Sequence, residues 1–161
     1  MRQSRRKRKK MNPIKIIVDT REKDALKFKD YEVVTSIDKL EAGDYTIHCH
    51  DRPLDDNSII IERKKNCQEL VHNLVASWDV FKNELEILSK YRHKAIVVCG
   101  PNNFPYLYDR GFTKVSPSFV YCRIADVLME YGIPTIFANS REDAENMIYR
   151  MFVKARKLNE E

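Results

Sequence analysis

Gly43-Asp44-Tyr45-Thr46-Ile47-His48 and, after a polar stretch, Ile59-Ile60-Ile61-Glu62-Arg63-Lys64 decide how this chain is read. Between them lie Asp51, Pro53, Asp55, Asp56 and Asn57, which is turn chemistry. The spacing predicts two strands, 44–48 and 58–62, joined as a hairpin. If 58–64 is extended, Glu62 and Lys64 share one face and Arg63 takes the other, because side chains alternate along a strand. Asp44 opens the preceding strand, so two carboxylates and an ammonium meet at one end of a sheet. Glu-Arg-Lys alone is usually a solvated surface tripeptide. Here three isoleucines precede it, so a buried strand delivers the charges, and a Gly-Asp pair stands upstream at hairpin distance.

Working outward, Ile14-Lys15-Ile16-Ile17-Val18 and Ala95-Ile96-Val97-Val98-Cys99 read as strands covered on both faces. Residues 31–37, rich in valine, read as another strand. A last one spans 133–138, with Pro134 near its start, where a missing donor is best tolerated. Three helices are expected. The first, 67–91, carries Leu70, Leu74, Trp78, Phe81, Leu85 and Leu88 at spacings of three and four, with Asn66 and Glu69 as a capping box. The second, 117–131, opens on Ser116-Pro117 and closes on Gly132. The third, 141–158, is capped by Ser140 and has Met147, Ile148, Met151 and Phe152 on its apolar side. Strands come first, then helices and strands alternate, which implies parallel pairing in the second half. The expected architecture is α/β, a three-layer α/β/α sandwich around a central mixed sheet.

The chain has 161 residues, 43% hydrophobic and 33% charged, which suits one globular domain. Its net charge of +5 is local. Seven of the 29 basic residues lie within positions 1–10 with no acid, leaving 22 against 24 acidic residues, a net of −2. Residues 1–11 are therefore expected to be a basic, disordered tail, suited to phosphate contact or to a nuclear address, and 12–161 the folded domain. No apolar run approaches the ~20 residues of a membrane span, so an intracellular protein, in cytoplasm or nucleus, is the default. A viral or phage source would suit the economy of length. Cys49, Cys67, Cys99 and Cys122 form no CxxC pair, and His48-Cys49-His50 reads as loop or strand end before metal cluster.

Two carboxylates beside a lysine suit phosphodiester hydrolysis. Carboxylates offer hard oxygen ligands to Mg²⁺, which keeps waters and accepts phosphate oxygens. The ion lowers the pKa of bound water and offsets charge on the phosphate. A lysine there either deprotonates the water or stabilises the charged transition state. Asp19 and Glu22, in Val18-Asp19-Thr20-Arg21-Glu22, are expected at the same sheet end.

Val-Asp-Thr-Arg-Glu (18–22), Leu-Glu-Ala-Gly-Asp-Tyr (40–45) and Ile-Ile-Glu-Arg-Lys (60–64) together resemble the nuclease domain of the XPF and MUS-type structure-selective endonucleases. These belong to the restriction-endonuclease-like group, whose signature is Asp followed by Glu-x-Lys. The resemblance covers roughly 14–157 and includes Ser116-Pro117 and Tyr131-Gly132-Ile133-Pro134. It implies a Mg²⁺-dependent endonuclease (Mn²⁺ a possible substitute) acting on branched DNA: a flap, fork or junction. It implies catalytic roles for Asp44, Glu62, Arg63 and Lys64, and metal-binding roles for Asp44, Glu62, Asp19 and Glu22. Arg21 is expected to organise the site or meet a phosphate. It also implies a homodimer or heterodimer through the nuclease domain, with Met147, Tyr149, Met151 and Phe152 serving either that face or the chain's own core.

Two departures stand out. The family's aspartate four residues after the signature lysine is Gln68 here, with Glu69 next to it, either a shifted substitute or a helix cap. Family members commonly carry a tandem helix-hairpin-helix module after the nuclease domain, and 161 residues leave no room for one. The chain is then expected to act alone, with a partner, or through its basic tail. A junction resolvase of the same fold, and a catalytically silent DNA-binding or scaffolding subunit, are the alternatives. Phe104, Tyr106, Tyr108 and Phe112 read as a loop, anchored to the domain more readily than stacked on unpaired bases.

Overall fold

A computed structural model describes residues 12–48 and 58–160, with the side chain of Glu160 left out. Residues 1–11 and 49–57, Cys49 and His50 included, lie outside the described residues.

Six strands form one mixed sheet: β1 (Ile14–Asp19), β2 (Val33–Asp38), β3 (Tyr45–His48), β4 (Ile59–Lys64), β5 (His93–Cys99) and β6 (Thr135–Ala138), in the order β2-β1-β3-β4-β5-β6. β3 pairs antiparallel with β4, as the hairpin reading expects, and also antiparallel with β1. β4, β5 and β6 are parallel, and so are β1 and β2. The helices are α1 (Cys67–Val75), α2 (Trp78–Ser89), α3 (Phe104–Asp109), α4 (Pro117–Tyr131) and α5 (Arg141–Glu160). None is long and apolar enough to cross a membrane.

Alternation along β4 sorts the core into two halves. Ile59 and Ile61 pack with Ile148 and Phe152 of α5, while Ile60 packs with Leu70, Phe81 and Val127 of the other helices. The sheet is thus sandwiched, with α5 on one face and α1, α2, α3 and α4 on the other. All six residues of β4 are buried, as the isoleucine run requires. β1 is less covered than its apolar run suggests, since Ile17 is half-buried and only Ile14, Ile16 and Val18 join the core. β2 is an edge strand, with Ile37 77% exposed.

The expected helix 67–91 is two helices. After Val75 the Ser77 amide bonds His72 O at 3.0 Å instead of its own i−4 carbonyl, and the chain turns before restarting at Trp78. The apolar stripe stays in phase across that break, so periodicity alone does not reveal it. The expected loop around 104–109 is the short helix α3, whose Pro105 sits in the first turn where it costs no hydrogen bond. Asn66 caps α1 through the Glu69 amide, and the Glu69 carboxylate accepts from the Lys65 amide at 2.7 Å. Glu69 is therefore a cap. Ser116 and Gly132 close the two ends of α4 as expected.

Gly43 is the hinge between the two halves of the motif. Its φ is +77°, and a Cβ there would stand 2.5 Å from Ile60 Cγ1. Any side chain would push the Gly-Asp segment off β4. Gly43→Ala is expected to cost about 1–3 kcal/mol from the backbone conformation alone, and more from the clash. Urea unfolding at unchanged m-value measures it, and a loss under ~0.5 kcal/mol would show that β4 can yield.

Candidate functional site

β4 ends by presenting Glu62 and Lys64 to the α1–α4 face. Lys64 Nζ donates to Glu62 Oε1 at 2.5 Å and lies 4.7 Å from the centre of the Phe81 ring. Both side chains are nearly sealed from solvent. Asp44 stands next to them. Its amide bonds Ile61 O at 2.9 Å and its Oδ2 accepts from the Arg63 amide at 2.7 Å. The strand pairing that continues from Tyr45 opposite Ile61 holds this carboxylate at the end of the ladder.

Sequence alternation placed Arg63 on the opposite face, and its partners confirm that. Its guanidinium donates to Asp24 O at 2.9 Å and faces the carboxylates of Glu22 (3.4 Å) and Asp24 (3.7 Å). Arg141 of α5 bonds the same Asp24 at 2.6 Å. Arg63 thus ties β4 to the loop after β1 and, through Asp24, to α5.

Asp19 is brought to the same sheet end, and its amide bonds Asp44 O at 2.8 Å. Its carboxylate, however, is fully used. It accepts from the Arg21 amide and Nε (2.8 and 2.6 Å), from Arg21 Nη2 (3.2 Å) and from the Leu40 amide (2.7 Å). Arg21 organises this corner, as expected, while much of its side chain stays exposed. The four expected metal-binding acids therefore divide. Asp44 and Glu62 share one face beside Lys64. Asp19 is saturated by hydrogen bonds, and Glu22 is paired with Arg63. Among the described residues, no three His, Cys, Asp or Glu side chains gather closely enough to hold an ion by themselves.

Sequence reasoning missed Glu84. It sits one helical turn after Phe81 on α2, and its negative charge acts on Asp44, Glu62, Lys64 and Arg21 alike. The signal available was its i+3 spacing from Phe81, on the edge of the apolar stripe.

The electrostatics follow from burial. Loss of solvation pushes Asp44 up to about 7, against the Arg63 amide hydrogen bond, with the Glu22 charge adding to the rise. Burial and then the Asp44 charge raise Glu62 well above the usual carboxylate range, which Lys64 only partly opposes. For Lys64, burial favours the neutral amine, but Glu62, Glu84 and Asp44 outweigh it and hold the ammonium above its ordinary value. For Asp19, burial acts upward too, yet the Arg21 and Leu40 hydrogen bonds win and lower it.

These signs give a testable pH dependence. A carboxyl whose folded pKa is raised binds its proton more tightly in the folded state, so stability falls as pH rises between the unfolded and folded values. For Asp44 that window runs from about 4 to about 7. In chelator, the melting temperature is expected to decline from about pH 4 to pH 7, and added Mg²⁺ or Mn²⁺ should reverse the decline at the upper end. A melting temperature flat in pH and indifferent to cation would remove the case for two strained carboxylates.

A mixed six-stranded sheet, covered by helices on both faces and carrying an Asp and a Glu-x-Lys at adjoining strand ends, defines a restriction-endonuclease-like fold. The ERCC4 domain family matches residues 18–151, and the chain belongs to that family. Two solved structures share the fold. XPF from Aeropyrum pernix in complex with DNA is 22% identical at a TM-score of 0.67, with 89% of this chain and 66% of that chain covered. XPF from the same organism without that description of DNA is 21% identical at 0.66, covering 90% and 68%. A Methanocaldococcus jannaschii protein described as "Putative ATP-dependent RNA helicase" is 25% identical over 142 residues, 88% of this chain. The chain spans only 16% of that relative's length.

Proposed function

We propose that this protein is a metal-dependent DNA endonuclease that hydrolyses phosphodiester bonds in branched DNA, with Asp44, Glu62 and Lys64 at its centre. The observation that carries the reading is the sealed Glu62–Lys64 pair beside the proton-hungry Asp44 on one face of β4. Membership of the ERCC4 domain family and the DNA named with one XPF structure support it.

The donor set fits Mg²⁺. Asp44 and Glu62 would hold it, two hard carboxylate ligands whose mutual repulsion a divalent cation relieves, leaving the other positions for water and phosphate oxygens. When bound, such an ion supplies Lewis-acid and water-activating chemistry. Glu62, Glu84 and Asp44 favour the ammonium form of Lys64, which suits charge stabilisation at the phosphate. Arg63 acts from the other face as a positioning residue, holding Asp44 through its own amide and the Glu22–Asp24 loop through its side chain. Asp19 and Glu22 frame the site; either joins the cation only by releasing its arginine.

Self-association is the second part of the proposal. α5 sends Ile148 and Phe152 into the core and stacks Tyr149 on Tyr31 at 4.2 Å. That leaves Met147 exposed beside the open edge of β6, with Met129 of α4 exposed on the far side. Sedimentation of the unmodified chain against Met147→Glu tests this edge.

The deciding assay is cleavage of labelled duplex, single-stranded, flap, fork and four-way-junction DNA with Mg²⁺ or Mn²⁺, comparing the unmodified protein with Lys64→Ala. Metal-dependent cutting that Lys64→Ala abolishes is the expected result, and the substrate ranking separates flap or fork cutting from junction resolution. Binding without cutting on any substrate would make the chain a silent DNA-binding subunit instead.

A further inference from the structure

The aromatic segment after β5 divides in the structure. Phe104 and Leu107 of α3 turn inward and are buried, while Tyr106, Tyr108 and Phe112, with Phe119 and Tyr121 of α4, are between 42% and 61% exposed. Phe104 and Leu107 satisfy the anchoring role, Phe104 packing edge-on to Phe137 and to Tyr121, whose hydroxyl also accepts from Asn102 Nδ2 at 3.3 Å. Tyr106 and Phe112, 52% and 61% exposed, need another account.

Cations are interleaved with them. The Tyr106 and Phe112 rings lie 6.4 Å apart, and the Arg110 guanidinium sits 5.5 Å from the Tyr106 centroid. Arg123 lies 4.3 Å from the Trp78 centroid and 5.2 Å from that of Phe119. Between 102 and 126 the basic residues are Arg110, Lys114 and Arg123 and the acids are Asp109 and Asp126, a net of +1, with Arg123 paired to Asp126 at 3.5 Å. Arg110 and Lys114 are therefore the cations that this stretch leaves for a phosphate.

Its placement matters as much. Val98 of β5 is in register with Lys64, and Cys67, at the start of α1, donates its thiol to Pro101 O at 3.0 Å. The segment therefore leaves the sheet at the end where Glu62 and Lys64 stand.

We propose that α3, the turn after it and the first turns of α4 form a stacking platform for unpaired nucleotides of the DNA strand that enters the site. This inference rests on the DNA reading above and deepens it by naming the substrate element: a single strand beside the cut. Duplex bases hide their faces in the stack. Unpaired bases offer them to aromatic side chains, whatever the sequence, while arginines meet the phosphates and the rings. A purely apolar protein-docking patch would not alternate rings with guanidinium groups and amides in this way.

The test uses the full chain in chelator, where nothing is cut. Fluorescence anisotropy with labelled oligo-dT and with a duplex of equal length compares the unmodified protein, Tyr106→Ala/Phe112→Ala, and the ring-preserving Tyr106→Phe/Phe112→Tyr. The alanine pair is expected to lose at least ~10-fold in single-strand affinity and under ~2-fold on duplex, with the ring-preserving pair like the parent. Circular dichroism melts check that removal of these exposed rings leaves the fold intact. Single-strand affinity unchanged in the alanine pair, or falling equally on duplex, overturns the platform. If the unmodified protein cuts DNA and the alanine pair binds and cuts alike, the platform fails and the endonuclease reading stands. If the rings bind single strands but nothing is cut with Mg²⁺ or Mn²⁺, the platform stands and the endonuclease reading fails. Were the unmodified protein to bind no DNA, both would fall.

Discussion

Asp44→Asn is expected to lower metal-dependent DNA cleavage by at least ~10³-fold and, in the same protein, to raise the melting temperature at pH 8. The two effects have one cause. Asp44 is pushed up to about 7 by burial, so ionising it at pH 8 strains the folded protein. Asparagine keeps an oxygen for the Arg63 amide, now at 2.7 Å, and removes the charge. The gain is of order 1–3 kcal/mol, a few degrees in melting temperature for a domain of this size. The loss of activity follows because a neutral amide is a poor partner for a divalent cation and leaves Glu62 as the one remaining proposed ligand. Calorimetry at pH 5 and pH 8 supplies the stability arm. The stabilisation should shrink at the lower pH, where the Asp44 carboxyl already carries its proton. Cleavage that survives the substitution would move the chemistry elsewhere, and a melting temperature that falls at both pH values would make Asp44 a structural group.

Arg63→Met should do the opposite to stability. The Arg63 side chain is 3% exposed and faces Glu22, itself 10% exposed. Methionine fills the space but leaves a buried carboxylate with no cation, a mechanism that costs ~3–5 kcal/mol. The loop after β1 would loosen around Glu22, because Arg63 is the buried cation that faces it, while the Asp24–Arg141 pair lies nearer the surface. Chemical denaturation gives the loss, and adding Glu22→Gln should restore a substantial part of it by removing the stranded charge. A loss below ~1 kcal/mol would mean that water replaces the guanidinium without penalty. Activity should fall with stability here, through Asp44 position, and so recover in the double variant.

Local pattern made a large share of this legible. A short run of β-branched isoleucines bounded by turn residues reads as a covered strand, and 59–64 is one. A serine, a proline and a later glycine bounded α4 because each answers a fixed need of a helix end, an acceptor, a preset φ and a left-handed turn. The faces of Glu62, Arg63 and Lys64 followed from a period of two, which every strand obeys. The break between α1 and α2 did not follow, since the apolar stripe runs through it in phase. Nor did α3, which is too short to show a period.

What the sequence by itself determined was the identity of the groups at the β4 end and the side of the strand each would take, because both depend on neighbours two residues away. Only the tertiary structure decided which of them remain available. Asp19 and Glu22 were expected beside Asp44 as further metal-binding acids, yet Arg21, Leu40 and Arg63 occupy them, through contacts spanning up to 41 positions between Glu22 and Arg63. Glu84 entered the site's field because α2 packs there, and three acids around Lys64 favour its ammonium form. Burial and charge neighbourhood are set by packing between distant segments, and no local spacing encodes them.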